Sequence, residues 1–110
     1  MWPALNIAAS GMHAAELRLQ AAAANIANMD TPNYAPQRVE QSSRGDGGVD
    51  AKIVNEKAGS SVDPAREFAN VLSARLDFAA NAMVVSVSAK MAEDLYKAVS
   101  YDGDHDGDSH

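Results

Sequence analysis

The feature that most constrains the fold is a seven-residue repeat in the first quarter of the sequence. Its large apolar members are Leu5, Met12, Leu19 and Ile26. Three positions after each of them comes a second set, Ala8, Ala15, Ala22 and Met29. A repeat of this period places both sets along one side of a helix, and the small residues let a partner helix approach closely. Because Pro3 suits a first helical turn, the sequence predicts a helix over residues 3–28 with a partner along its length.

The predicted first helix ends in a run of amide, acidic and proline residues, "NIANMDTPNY". Asn28 suits a capping position, and Pro32 pushes the residue before it out of the helical region. The following residues 35–61 are polar and contain a Gly-rich turn at 45–48. This composition is compatible both with a weak hairpin and with a loose, extended arm.

A second helix is predicted from Pro64 to about residue 100, with Asp63 as its N-cap and Glu67 in its first turn. It would be about 55 Å long, more than a compact domain of this size requires. One apolar stripe runs at seven-residue spacing through Val71, Phe78, Val85, Ala92 and Val99. A second runs at spacing four through Met83, Val87, Met91 and Leu95. The first helix can cover only one stripe, so the other is predicted to be an interaction surface.

Composition excludes several classes of function. The 110 residues carry a formal net charge of -6 with no basic patch, which argues against nucleic acid as a partner. The chain has no cysteine, and therefore no disulfide and no thiolate metal site. The N-terminal stretch lacks the basic region and the apolar run of a cleaved signal peptide. No transmembrane run is predicted, so membrane insertion is not expected.

Side chains that could support chemistry are few. His13 has Glu16 nearby on the predicted helix, but no third group accompanies them, so no catalytic residue and no cofactor are predicted. Three acidic residues near the C-terminus match the first half of a calcium-binding EF-hand loop, namely Asp102, Asp104 and Asp106. The sequence ends before the bidentate glutamate of such a loop, so a solvated acidic tail is favoured over a metal site.

Both ends of the chain resemble the axial proteins of the bacterial flagellar rod and hook. The N-terminal segment matches that family's signature at Ser10, Gly11, Met12, Arg18, Leu19, Asn25, Ile26, Ala27, Asn28, Thr31 and Tyr34. The C-terminal segment resembles the family's closing helix at Val62, Asp63, Ala74, Arg75, Phe78, Ala80, Asn81 and Met91. The proximal rod type is the most similar. Asn33 stands where the family usually has glycine, and asparagine is the next best residue for a positive φ.

The resemblance implies a structural subunit that assembles with copies of itself and with other flagellar axial proteins. The expected fold is all-α, with two long antiparallel helices forming a coiled coil and a flexible or weakly β-like arm between them. The expected divisions are an N-terminal helix and turn at 1–34, a polar arm at 35–61, a C-terminal helix at 62–100 and an acidic tail at 101–110. The predicted assembly interface consists of Leu5, Met12, Leu19, Asn25, Ile26, Asn28, Tyr34, Val71, Phe78, Asn81, Met83, Val85, Val87 and Met91.

The expected location is the periplasmic rod of the flagellar basal body. The subunit would reach it through the flagellar export apparatus, without a cleaved signal peptide. Two alternatives remain open. The first is a soluble helical adaptor or regulatory module derived from an axial protein, which the short middle segment and the acidic tail favour. The second is a calcium-responsive binding protein, which rests on the tail alone.

Overall fold

The chain forms two helices joined by a β-hairpin. The computed structural model describes residues 2–108, and within them the side chains of residues 3–101. The elements are α1 (Trp2–Ala27), β1 (Gln37–Ser43), β2 (Val49–Asn55) and α2 (Pro64–Asp108). The molecule is elongated, with extents of 80 × 25 × 15 Å. The two predicted helices are present, although α2 continues to Asp108 instead of ending near residue 100. The side chains of the partial calcium loop lie outside the described residues.

The predicted all-α fold is wrong, because the middle segment forms a regular antiparallel hairpin. Its register runs from Gln37 opposite Asn55 to Ser43 opposite Val49. At the tip, the Arg44 N–H donates to the Gly48 carbonyl at 2.8 Å, and Gly47 has a φ of 91°. Both strands also contact α1. This packing gives the hairpin a partner that its local sequence alone does not supply.

The two helices pack in opposite directions. Arg18 of α1 is ion-paired with Asp77 of α2. Gly11, which comes earlier in α1, faces Asn81, which comes later in α2, so the two helices run antiparallel. At this offset α2 extends well past the N-terminal end of α1. All residues from 89 to 101 are accordingly exposed.

The predicted coiled coil is not what the structure shows. Leu5, Met12 and Ile26 are only half-buried, and Leu19 is exposed. Within the described parts of the two helices, the buried apolar residues are instead all alanines: Ala8, Ala14, Ala15, Ala21, Ala22 and Ala74. The line of α2 that faces this alanine surface is also made of smaller or polar residues at seven-residue spacing: Glu67, Ala74, Asn81 and Ser88. The helices meet through small side chains, so large residues do not interlock along the interface.

By length and composition alone, α2 could cross a lipid bilayer over Pro64–Tyr101. This differs from the expectation that no segment is apolar enough to do so. A core helix of a soluble protein meets the same criterion, so this property is weak evidence for membrane insertion.

Candidate assembly surface

The junction between α1 and the hairpin is held by one amide side chain. Asn25 lies in the last turns of α1 and is 2% exposed. Its Nδ2 donates to the Gln37 carbonyl at 2.7 Å, and its Oδ1 accepts from the Gln37 N–H at 2.7 Å. The Tyr34 hydroxyl donates to the same Oδ1 at 2.9 Å. These three hydrogen bonds fix the first residue of β1 against α1.

The turn that returns the chain to Asn25 is also hydrogen-bonded within the subunit. Asn28 Nδ2 donates to the Ala24 carbonyl at 2.9 Å, and the Thr31 N–H donates to the Asn28 carbonyl at 2.9 Å. Asn33 has a φ of 59°, which confirms the predicted left-handed position. On α2, Asn81 Nδ2 similarly donates to the Asp77 carbonyl at 2.9 Å. The role predicted for these amides at subunit contacts stays a prediction.

Tyr34 is the titratable member of this junction. Burial raises the pKa of its hydroxyl above the ordinary 10.0, and the nearby negative charge of Glu67 raises it further. The proton is therefore held more firmly than on a free tyrosine. The hydroxyl remains a hydrogen-bond donor to Asn25 at neutral pH.

An exposed apolar face covers the side of α2 that points away from α1. At 3.6 residues per turn, this face lies opposite the line of Glu67, Ala74 and Ser88. We call it the outer face of α2, and its large members are Phe68, Leu72, Leu76, Met83 and Val87. Between 52% and 71% of each of these residues is exposed. A contiguous apolar row of this length is typical of an interaction surface.

A second exposed row lies beyond the end of α1. Met91, Leu95 and Val99 follow one another at spacing four, and helical geometry places them on the side of α2 that α1 covers earlier in the helix. We call these three residues the distal row. They are exposed because α1 has ended.

The predicted interface residues fall into three environments. Asn25 is buried, while Leu19, Met83, Val87 and Met91 are exposed. The others are half-buried, namely Leu5, Met12, Ile26, Asn28, Tyr34, Val71, Phe78, Asn81 and Val85. Leu19 and Phe78 line one shallow apolar groove between the two helices.

Sequence reasoning missed the first half of the outer face. Phe68, Leu72 and Leu76 follow each other at spacing four directly after the start of α2. This spacing is the signal that could have revealed them, since Met83 follows Leu76 two helical turns later on the same side of the helix. Within the part of the chain that the structure describes, no group of three or more His, Asp or Glu side chains is arranged to hold a metal ion.

Comparison with known families supports the resemblance found in the sequence. Residues 5–34 match the model of the family described as "Flagella basal body rod protein". The match covers α1 and the turn that ends at Tyr34, which is the segment organised around Asn25. No curated protein matches the chain. The family is a structural class and not an enzyme class, and the match suggests a structural rod component of the flagellar basal body.

Proposed function

Because residues 5–34 match the flagellar basal body rod family, we propose that this chain is a structural subunit of the flagellar rod. It would act by packing its helices against copies of itself and against other axial proteins. The observation that carries this proposal is the outer face of α2, whose five large apolar side chains are each more than half exposed.

The energetics favour covering that face. Where the structure describes the interface between the helices, its buried apolar residues are alanines, so it contributes little apolar area for each residue. Burying one large apolar side chain is worth about 1.5–3 kcal/mol. Five such side chains, each already partly covered, could together provide on the order of 5 kcal/mol toward association. A neighbouring subunit would therefore supply stabilisation that a single chain lacks.

The predicted interface residues acquire distinct roles in this proposal. Met83 and Val87 lie on the outer face and Met91 lies in the distal row, so these three side chains would contact other subunits. Leu19 and Phe78 border a groove that could receive a side chain from a neighbour. We further propose a periplasmic location within the basal body, reached through the flagellar export apparatus.

The experiment that tests this function compares two methionine variants in a strain that depends on this chain for motility. Met83→Glu places a charge in the middle of the outer face and would have to be desolvated at a subunit contact. We expect it to abolish both motility and co-purification with basal bodies. Met29→Glu is the matched control, because Met29 is also exposed but lies outside α2.

Two results would contradict the proposal. One is normal assembly of the Met83→Glu chain. The other is a wild-type chain that stays in the soluble fraction and never co-purifies with basal bodies, which would favour the adaptor alternative.

A further inference from the structure

The hairpin leaves backbone hydrogen-bonding groups unused along both of its edges. The Arg44 N–H donates to the Gly48 carbonyl at 2.8 Å, and the Glu56 N–H donates to the Pro36 carbonyl at 2.7 Å. Hydrogen-bonded and non-hydrogen-bonded pairs alternate in an antiparallel ladder, so in this register the even-numbered residues bond across the hairpin. The odd-numbered residues therefore turn their N–H and C=O groups outward, away from the other strand.

Side chains of α1 cap one end of each edge. At the start of β1, the Asn25 amide bonds to both outward groups of Gln37. At the start of β2, the Ser10 hydroxyl accepts the outward N–H of Val49 at 3.1 Å. Among the described residues, no such partner meets the other outward positions, which we call the open edges: Val39, Gln41 and Ser43 on β1, and Ala51, Ile53 and Asn55 on β2.

Neither open edge has the usual protection against pairing with another strand. Natural edge strands are protected by proline, by bulges or by a covering element. Both strands lack proline, and their register is continuous without a bulge. Within the described residues, neither strand packs against α2. Each open edge therefore presents three residues whose N–H and C=O groups can pair with a strand of another molecule.

The charges beside the open edges decide which edges are compatible. Arg38 and Arg44 flank the open edge of β1, whereas Asp50 and Glu56 flank that of β2. Two β1 edges paired antiparallel over their full length would place Arg38 opposite Arg44. Two β2 edges would likewise place Asp50 opposite Glu56. Like charges directly opposite each other destabilise a sheet, whereas pairing β1 with β2 places an arginine opposite an acidic residue at each end.

The ion pairs that these arginines make within one chain do not prevent such an exchange. Arg38 lies 3.3 Å from Glu40, and Arg44 lies 3.3 Å from Asp46 and 3.8 Å from Asp50. All three pairs are at the surface, where an ion pair contributes little to stability. A partner chain can therefore replace them at small cost.

We infer that the open edge of β1 in one copy of this chain pairs antiparallel with the open edge of β2 in a second copy. Gln41 would lie opposite Ile53 at the centre, and each of the three pairs of outward residues would exchange two backbone hydrogen bonds. The contact is heterologous, so each end keeps a free edge to which a further copy can add. Because α2 lies on the β1 side of α1, the joined hairpins would curl with their helices on the convex side.

This contact goes beyond the proposed function, since it uses no residue of the outer face and can be measured with the purified chain. The first test determines its register by disulfide formation, because the natural chain contains no cysteine. A Ser42→Cys chain is mixed with a Lys52→Cys chain. These two positions would form a non-hydrogen-bonded pair between the copies, with Cα atoms about 4.5 Å apart.

We expect the mixed disulfide to form at least tenfold faster than in two control mixtures. Glu40→Cys with Lys52→Cys is the register control, since these positions are opposite each other within one hairpin but not between copies. Ser42→Cys with Glu93→Cys is the collision control, since Glu93 is exposed on α2. Equal rates in all three mixtures would overturn the inference. The fast rate should persist when both chains carry Met83→Glu, and its loss would assign the contact to the outer face instead.

The second test reverses the flanking charges. Arg38→Glu in the Ser42→Cys chain should slow the mixed disulfide about threefold, the size expected for one cross-strand charge pair. Glu56→Arg in the Lys52→Cys chain should have the same effect, and the two reversals together should restore the original rate. Failure of this restoration would contradict the predicted pairing of β1 with β2.

The third test removes one outward N–H. Proline at an outward position of an edge strand breaks no bond of the hairpin itself, so Gln41→Pro in the Ser42→Cys chain should keep a melting temperature close to that of Gln41→Thr. The mixed disulfide should nevertheless form at least tenfold more slowly with proline than with threonine. Equal rates would refute the edge contact. Loss of the hairpin in Gln41→Pro would show that this N–H points inward, which would equally overturn the inference.

Discussion

Replacing Asn25 by alanine removes the side chain on which the helix–hairpin junction depends. The change leaves the Gln37 N–H, the Gln37 carbonyl and the Tyr34 hydroxyl without their partners, which lie 2.7, 2.7 and 2.9 Å from the Asn25 amide. A buried polar group left unpaired costs about 1–3 kcal/mol. Gln37 and Tyr34 are half-buried, so water can compensate for part of this loss. We therefore expect Asn25→Ala to lower the free energy of unfolding by roughly 3 kcal/mol, the lower end of that range for three groups.

Two further variants divide this effect between its bonds. Asn25→Asp retains an oxygen that can accept from Gln37 and Tyr34, but it loses the donor and places a carboxylate against the Gln37 carbonyl. Its expected cost is about 2 kcal/mol. Tyr34→Phe removes a single hydrogen bond and should cost about 1 kcal/mol. The control is Asn28→Ala, since the Asn28 amide bonds only to near neighbours in sequence, the Ala24 carbonyl and the Thr31 hydroxyl, and is not completely buried.

The assay is urea unfolding followed by circular dichroism at 222 nm, with all variants at one protein concentration. Amide hydrogen exchange at Gln37 provides a local measurement, and its protection should be lost first in Asn25→Ala. The reasoning is refuted if Asn25→Ala unfolds within about 0.5 kcal/mol of the wild type, which is the range of ordinary surface substitutions. It is also refuted if Asn28→Ala costs as much as Asn25→Ala.

Three other perturbations follow from the same structure. A Cβ on Gly11 would lie 2.6 Å from Asn81 Nδ2. Gly11→Ala should therefore destabilise the folded chain by about 1 kcal/mol, although alanine has a better helix propensity than glycine. In thermal melts of the double variant, Asn81→Ala should relieve that loss. Asn33→Ala should cost about 1 kcal/mol in urea unfolding because of the φ of 59°, whereas Asn33→Gly should be tolerated. Because burial and Glu67 raise the pKa of Tyr34, its contribution to stability is complete below its unfolded pKa near 10.0 and is lost as pH rises through the folded pKa. Alkaline unfolding followed by circular dichroism should therefore become less steep in Tyr34→Phe.

Local signals in the sequence were sufficient for the helix starts and for the stop after α1. Proline and a capping aspartate mark the start of α2, where the Asp63 carboxylate accepts from the Ala65 N–H at 3.1 Å. The left-handed position of Asn33 was likewise readable, because few residue types tolerate a positive φ. The hairpin could not be predicted with the same certainty from local signals. Its strands have only a weak local preference for the β conformation and gain part of their stability from packing on α1.

The heptad repeat identified the correct side of α1 and three of its buried residues, Ala8, Ala15 and Ala22, but it wrongly placed the large members of the repeat at the centre of the interface. Leu5 and Ala8 lie on the same side of the helix, so periodicity alone cannot decide which of them points at the partner. The decision depends on the distance between the helices. Once alanines allow a close approach, the large residues are displaced to the margins of the contact, where they are half-buried or exposed.

Glu67 illustrates a limit of a different kind. Its position in the first turn of α2 is explained locally, because a negative charge is favourable near a helix N-terminus. Its burial is not local, since it arises from α1 and the hairpin closing over that turn. A residue that has an ordinary helix-start role in the sequence can therefore become part of a groove lining through the fold.

The positions of the two exposed rows bear on the kind of assembly this subunit would form. The outer face is opposite α1, whereas the distal row lies on the side that α1 covers earlier in α2. The outer face covers residues 68–87 and the distal row covers residues 91–99 on another side of the helix. A straight neighbouring helix parallel to α2 does not cover both rows, so we expect each subunit to use both surfaces in contacts with different neighbours. Contacts between unlike surfaces are heterologous, and they produce open helical arrays unless the rotation between subunits closes a ring. If the outer face of one subunit packs on the distal row of the next, Met83→Glu and Leu95→Glu disable opposite sides of the same contact. Neither chain alone should then assemble, whereas a mixture of the two should form limited oligomers, because each chain retains the surface that the other has lost.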